Sequence, residues 1–303
     1  MCRLGVFCSI ACDVDCGLQF YVYLCSMNVV RIDSLADEAL QPYSRLTEAQ
    51  LLNRLHPEEG LFICESMKVI RVALERGVQP VSFLCEEKFL DQVPDCGVPV
   101  FTAPREVLKG LTGYELSRGV LCAMRRPVLP SVAAVVSGQW SVARATQTSG
   151  SPLPTRCRIA VLDGVVNSEN TGAIFRAAAA LGIDAVLLTR TCCDPLNRRA
   201  CRVSMGTVFQ LPWTFLDNYM QLRDCGFTTV AMALTDRSVP IYDSSLKSID
   251  RMAIILGTEG DGLSDSVLRQ CDHVARIPMQ RGVDSLNVAA AAAVAFYELA
   301  KKV

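Results

Sequence analysis

The chain has 303 residues, 50% of them hydrophobic, and a formal net charge of −1. That is enough for two domains with their own cores, and the near-zero charge excludes a protein that coats nucleic acid by bulk electrostatics while leaving room for a local basic patch. No apolar run approaches the roughly 20 residues that span a bilayer, so no membrane partner is expected, and fifteen cysteines without a secretory signal predict reduced thiols in a cytoplasmic protein.

The opening stretch, "MCRLGVFCSIACDVDCGLQFYVYLCS", spaces Cys8, Cys12 and Cys16 by four but contains no CxxC pair, so no metal site is expected there. Residues 1–26 read as a non-native or disordered extension, with Met27 as the natural start. The two histidines, His56 and His273, lie far apart in sequence, a scarcity that removes His-rich metal sites and weakens a Ser/His/Asp or Cys/His hydrolase reading.

From 27 to 126, short apolar runs alternate with helical patterns: "GLFICES", "MKVIRVALERG", "PVSFLCEEKFL", "VPVFTA", "PREVLKGL", "GVLCAMRRP". Val69, Val72, Ala73 and Arg76 follow helical spacing, and Gly77 is placed to stop that helix. A small α/β sandwich is predicted. Residues 127–155 then lapse into "VLPSVAAVV" and "TQTSGSPLPT", the composition of a linker.

Beyond 156 the alternation strengthens. "RIAVLDGV" predicts a strand, 171–181 a helix, "DAVLLT" and "GTVFQLPW" strands, and "FLDNYMQLRDCG" a helix. "FTTVAMAL", "RMAIILG" and "VARIPM" follow as strands, with helices near 265–270 and from about 286. Near-continuous apolar strands between helices indicate a mostly parallel sheet covered on both faces.

Three strand ends carry the chemistry. After "RIAVLDGV" stands "NSENTGAIFR", where neither GxGxxG nor GxxxxGK[ST] occurs. With a helix starting near Thr171, Gly172 and Arg176 share a face, the glycine admitting a ligand to the backbone and the arginine reaching beside it. Asn170 either caps that helix or joins the site. "IILGTEGDGLSD" places Gly257, Glu259, Gly260 and Gly262 where α/β sheets usually bind ligands. "RIPMQRGVDSLNVAAAAAVAFYEL" places Ser285 and Asn287 at a helix start, with Ser285 a plain N-cap or a ligand-binding hydroxyl. The alanine run after them suits close helix packing, in a core or between subunits.

In this order and spacing the three stretches resemble the motifs of the SpoU/TrmH family of RNA ribose 2′-O-methyltransferases, of the SPOUT class. "RVSMGTVFQLPW", with Ser204 and Gly206, resembles the segment between the family's first and second motifs. Residues 27–126 are similar to the ribosomal-protein-like substrate-binding domain that many members carry.

The resemblance implies a trefoil-knotted sheet over 156–303, S-adenosylmethionine as cofactor, RNA as partner (ribosomal in preference to transfer RNA), an obligate homodimer and no metal. It assigns catalytic roles to Arg176, Asn170, Glu259, Ser285 and Asn287, with Glu259 orienting Arg176. It assigns cofactor binding to Leu256, Gly257, Gly260, Ile277, Met279, Ser285, Leu286 and Asn287. The alternative is a paralogue that binds RNA without methylating it.

Overall fold

The computed structural model describes residues 27–32, 40–44, 47–53, 56, 59–112, 119–137 and 156–300. The Cys8, Cys12 and Cys16 spacing and residues 138–155 of the expected linker lie outside them.

The first sheet is built from β1 (Val29–Arg31), β2 (Leu61–Glu65), β3 (Pro80–Cys85), β4 (Val100–Thr102) and β5 (Val120–Arg125), five strands in the order β1-β4-β3-β5-β2. β1, β4 and β3 are parallel, while β5 runs antiparallel to β3 and β2. Because side chains alternate along a strand, the sheet has two apolar faces. One holds Ile63, Leu84, Phe101 and Leu121 against α1 (Gln41–Ser44), α2 (Glu48–Leu52) and α4 (Arg105–Thr112). The other holds Phe62, Cys64, Phe83 and Cys122 against α3 (Met67–Glu75). Past α3, Gly77 takes φ +77°, and Val78 N donates to Ala73 O at 3.1 Å, closing the helix as its position predicts.

α5 (Val132–Val136), capped by Ser131, lies inside the stretch whose composition reads as linker. Its valines pack on the second sheet, and Thr214 Oγ1 donates to Pro130 O at 2.7 Å. Residues 130–137 therefore belong to a packed layer, while Val128 before them is exposed.

The second sheet comprises β6 (Cys157–Leu162), β7 (Ala185–Thr189), β8 (Trp213–Leu216), β9 (Thr228–Met232), β10 (Val239–Pro240), β11 (Arg251–Leu256) and β12 (His273–Arg276). Its seven strands run in the order β10-β12-β9-β11-β6-β7-β8, every pair parallel. The helices are α6 (Ser168–Ala180), α7 (Arg198–Val203), α8 (Met220–Asp224), α9 (Ser244–Lys247), α10 (Asp265–Gln270) and α11 (Val288–Leu299). The sequence reading of 198–224 needs correction. "GTVFQLPW" divides into a 3-10 turn, Thr207–Phe209, and the start of β8, while Phe215 and Leu216 belong to β8 and the helix is only Met220–Asp224.

One buried charge stands out in β6. Arg158 is 1% exposed, and its guanidinium donates to the carbonyls of Leu299, Cys157, Asp250 and Ile249 at 2.6–3.1 Å. Burial lowers its pKa, and the carbonyls offset the desolvation while tying the end of α11 to the base of the sheet.

The two sheets share a core. Phe62 and Phe209 lie 5.8 Å apart between ring centroids. At Gly206, φ +87°, a Cβ would stand 2.9 Å from Val72 Cβ. Around this apolar contact, Glu65 accepts from Arg202 and Arg126 donates to Asp194 at 2.5 Å.

No described helix is long and apolar enough to cross a membrane. The ten described cysteines are free thiols, and burial pushes Cys85 and Cys157 up to about 12.

Candidate functional site

β6 and β11 are hydrogen-bonded neighbours, so the loops leaving their carboxyl ends meet. α6 begins at Ser168 rather than near Thr171, and its N-cap is Asn167, whose Oδ1 accepts from Glu169 N at 2.8 Å and Asn170 N at 3.2 Å. Asn170 therefore does not cap the helix. Its side chain is free to reach sideways from the first turn.

There it joins the other two motifs. Asn170 Nδ2 donates to Glu259 Oε1 at 3.0 Å, and Asn170 Oδ1 accepts from Asn287 Nδ2 at 3.0 Å. Glu259 Oε1 also accepts from Asn167 N at 3.2 Å. Desolvation would raise the Glu259 pKa, but the bonds from the Asn170 amide and from backbone N–H groups outweigh it and hold the carboxyl below its ordinary range.

Asn287 is itself the N-cap of α11, accepting from Ala289 N and Ala290 N at 2.9 and 3.3 Å. Ser285, expected as a possible cap, stands two residues earlier, exposed, with only a 3.4 Å bond to Asp284.

Arg176 is elsewhere. It is exposed on α6 and makes no hydrogen bond or ion pair among the described residues; within this chain the Glu259 carboxylate meets Asn170. Six residues separate it from Asn170, which on an α-helix is about 9 Å of rise and about 240° of rotation. Gly172 also departs from expectation. A Cβ there would lie 2.5 Å from Ala200 O, so this glycine admits the backbone of α7 and not a ligand.

Beside the Glu259–Asn170–Asn287 chain opens a cleft of about 450 Å³. Leu256, Gly257, Gly260, Ile277, Met279, Ser285 and Leu286 line it; of the residues expected to bind cofactor, only Asn287 does not. At Gly257 a Cβ would stand 2.5 Å from the Gly262 carbonyl carbon, so the loop can fold back this tightly only on glycine. The far wall, from Met232 to Thr235 past β9, was not anticipated, because nothing local marks that strand end.

One atom of that wall lacks a partner. Thr235 Oγ1 is buried without a hydrogen bond, a state that costs about 1–3 kcal/mol unless a ligand satisfies it. The lining also carries Glu259, Asp261 and Asp284 against Arg276, whose guanidinium donates to Ser238 O at 2.8 Å. Its charge favours a cationic ligand over a polyphosphate. No group of three or more His, Cys, Asp or Glu side chains able to hold a metal occurs among the described residues.

A parallel α/β sheet with a glycine-folded cleft at its strand ends, rimmed by two capped helix starts, defines a cofactor-binding catalytic domain. Residues 158–297 match the model of the SpoU rRNA methylase family. An uncharacterised tRNA/rRNA methyltransferase of Mycobacterium bovis is 36% identical over 271 residues, covering 86% of this chain and 88% of that one. The 23S rRNA (guanosine-2′-O-)-methyltransferase RlmB of Acinetobacter baylyi is 28% identical, covering 82% and 95%. The crystal structure of an rRNA methyltransferase from Sinorhizobium meliloti, also solved with AdoMet bound, superposes with a TM-score of 0.70 at 24% identity, covering 90% of this chain and 97% of that one. The chain belongs to the SpoU methylase family and is a methyltransferase.

Proposed function

We propose that this protein methylates a ribose 2′-hydroxyl of ribosomal RNA with S-adenosylmethionine as methyl donor. The observation that carries the reading is the Glu259–Asn170–Asn287 chain, which fastens the three family motifs together at the mouth of the cleft. The cleft fits the donor: apolar walls for the adenosyl group, carboxylates for a sulfonium and an ammonium, and a Thr235 hydroxyl in need of a partner. When bound, S-adenosylmethionine supplies an electrophilic methyl group on a sulfonium, which needs no Lewis acid.

The chain's own residues then position and polarise. The Asn170 amide is engaged on both sides, so it holds the starts of α6 and α11 at a fixed separation. In this reading the Ser285 hydroxyl, exposed in the lining of the cleft, contacts the ribose. Arg176 stabilises the developing alkoxide by its positive charge, and the hydroxyl proton passes to an RNA phosphate oxygen, to water or to the guanidinium itself.

The active form in this reading is a homodimer. Ala290, Val294 and Tyr297 are exposed along one face of α11, a stripe suited to a second copy. The separation of Arg176 from Asn170 supports a site completed across that interface. A trefoil knot is part of the proposal, supported by a path that leaves β11, runs through β12 beyond β9, and returns in α11 to pack on α6. Residues 27–126 serve as the RNA-binding domain, and the free thiols suit a cytoplasmic enzyme.

The test is to incubate the protein with radiolabelled S-adenosylmethionine and transcribed 23S ribosomal RNA, then map the label by its resistance to alkaline cleavage. One ribose-methylated nucleotide is expected. Label on a base, or none, overturns the reading.

A further inference from the structure

Far from the methyl-transfer cleft in sequence, the first sheet has a cavity of its own. Arg31, Glu86, Glu87, Lys88, Thr102 and Arg105, at or just past the carboxyl ends of the parallel strands β1, β3 and β4, line a space of about 270 Å³. A crevice outside the carboxyl ends of parallel strands is where α/β sheets usually take small ligands.

The charges narrow the ligand. Arg31, Lys88 and Arg105 are exposed at this cleft, yet Glu86 and Glu87 share it, and Lys88 Nζ lies 2.6 Å from Glu86 Oε2. A bare phosphate has no use for two carboxylates, and a cationic ligand would meet three cations. A nucleotide has acceptor oxygens at its phosphate and N–H donors on its base edge, so it can use both signs.

We propose that this cleft holds one unpaired nucleotide of the RNA substrate, its phosphate on Arg31 and Arg105 and a base N–H edge on Glu87. The proposal rests on the reading of RNA as substrate. It gives the cleft a role in choosing the target. The sheet that bears it is packed on the catalytic domain through Phe62 with Phe209, Glu65 with Arg202 and Arg126 with Asp194, so a nucleotide held here stands at a set distance from Asn170.

The full chain and two variants, Arg31→Ala/Arg105→Ala and Glu87→Ala, are compared for binding of transcribed 23S ribosomal RNA by filter retention at several salt concentrations. The double variant is expected to bind about tenfold more weakly, with a salt slope shallower by about 0.7 for the lost phosphate contact. Glu87→Ala is the sharper case. Removing a negative charge would by itself strengthen RNA binding, whereas loss of a base contact weakens it several-fold. In both variants S-adenosylmethionine affinity stays at the wild-type value, and methyl transfer shows a raised KM for RNA with kcat kept. Unchanged RNA binding in the double variant, or equal or tighter binding by Glu87→Ala, overturns the proposal. A wild-type chain that binds this RNA through the cleft yet methylates no ribose removes the catalytic reading instead and leaves the cleft standing.

Discussion

Glu65, at the end of β2, accepts from Arg202 Nη1 on α7 at 3.1 Å, and the pair is unequally buried: 3% of the Glu65 side chain is exposed against 31% of Arg202. Arg198 Nε stands 3.9 Å from the same carboxylate. The carboxylate thus sits inside the contact between the two sheets while its cations keep access to water.

That inequality predicts unequal mutants. Arg202→Ala removes the nearer cation from a buried carboxylate, and should cost about 2–4 kcal/mol. Glu65→Gln leaves arginines that can hydrate and should cost about 1–2 kcal/mol. Urea unfolding of the full chain measures both; equal losses would mean that the carboxylate is hydrated after all.

Gly172 is expected to be a packing residue. Adding a Cβ 2.5 Å from Ala200 O and 2.9 Å from Val203 Cβ forces α6 and α7 apart, an overpacking cost of about 1–3 kcal/mol. Gly172→Ala should lower the melting temperature while S-adenosylmethionine affinity, measured well below it, stays unchanged. A selective loss of cofactor affinity at full stability would return this glycine to the ligand-binding role.

Arg176→Ala and Asn170→Ala should each abolish methyl transfer while leaving cofactor affinity within a few fold. Their mixture tests the dimer. If Arg176 serves the site of the other subunit, randomly mixed dimers contain one intact site in every heterodimer, and activity should return to about a quarter of wild type. If it serves its own chain, no intact site forms and the mixture stays inactive.

Much of the second sheet is legible in the sequence because its strands are buried on both faces, so their apolar runs are uninterrupted. The exceptions are instructive. α5 reads as linker because its short apolar segment is bounded by prolines and serines, and only the sheet beneath it makes it a helix. α7 was not anticipated at all, since "NRRACRV" is short and charged, and its capping Asn197 becomes a signal only once the helix is known. The site was legible as three motifs, but not as one chain of bonds. Asn170 meets partners 89 and 117 residues away, and misplacing the helix start by three residues was enough to suggest it as a cap in place of Asn167.

Glu259 predicts a pH dependence. Its folded-state pKa lies below the unfolded value of about 4.3, so its contribution to stability is fully present above that pH. The contribution is lost as pH falls through the lower folded-state value. Glu259→Gln keeps an acceptor for Asn170 but removes the titration, so the variant should lose less stability than wild type on acidification below about pH 4. Parallel melting curves for the two proteins from neutral pH to pH 3 check this; superimposable acid limbs would show that the carboxylate gains nothing from its hydrogen bonds.

Thr235 offers a prediction in which stability and affinity move oppositely. Its buried Oγ1 has no partner in the free protein, so replacing the hydroxyl by a methyl group of similar size removes an unsatisfied polar atom. Thr235→Val should leave the free protein as stable as wild type or up to about 1 kcal/mol more so. The same change removes a hydrogen bond the donor would receive, and S-adenosylmethionine should bind about five- to tenfold more weakly. Thr235→Ser keeps the hydroxyl and should keep the affinity. Differential scanning calorimetry of the free protein and titration calorimetry with the cofactor read the two effects separately. A Val variant that binds as tightly as wild type would leave the wall of the cleft beyond β9 without a part in holding the donor, whereas weaker binding by Val alone assigns the orphaned hydroxyl to it.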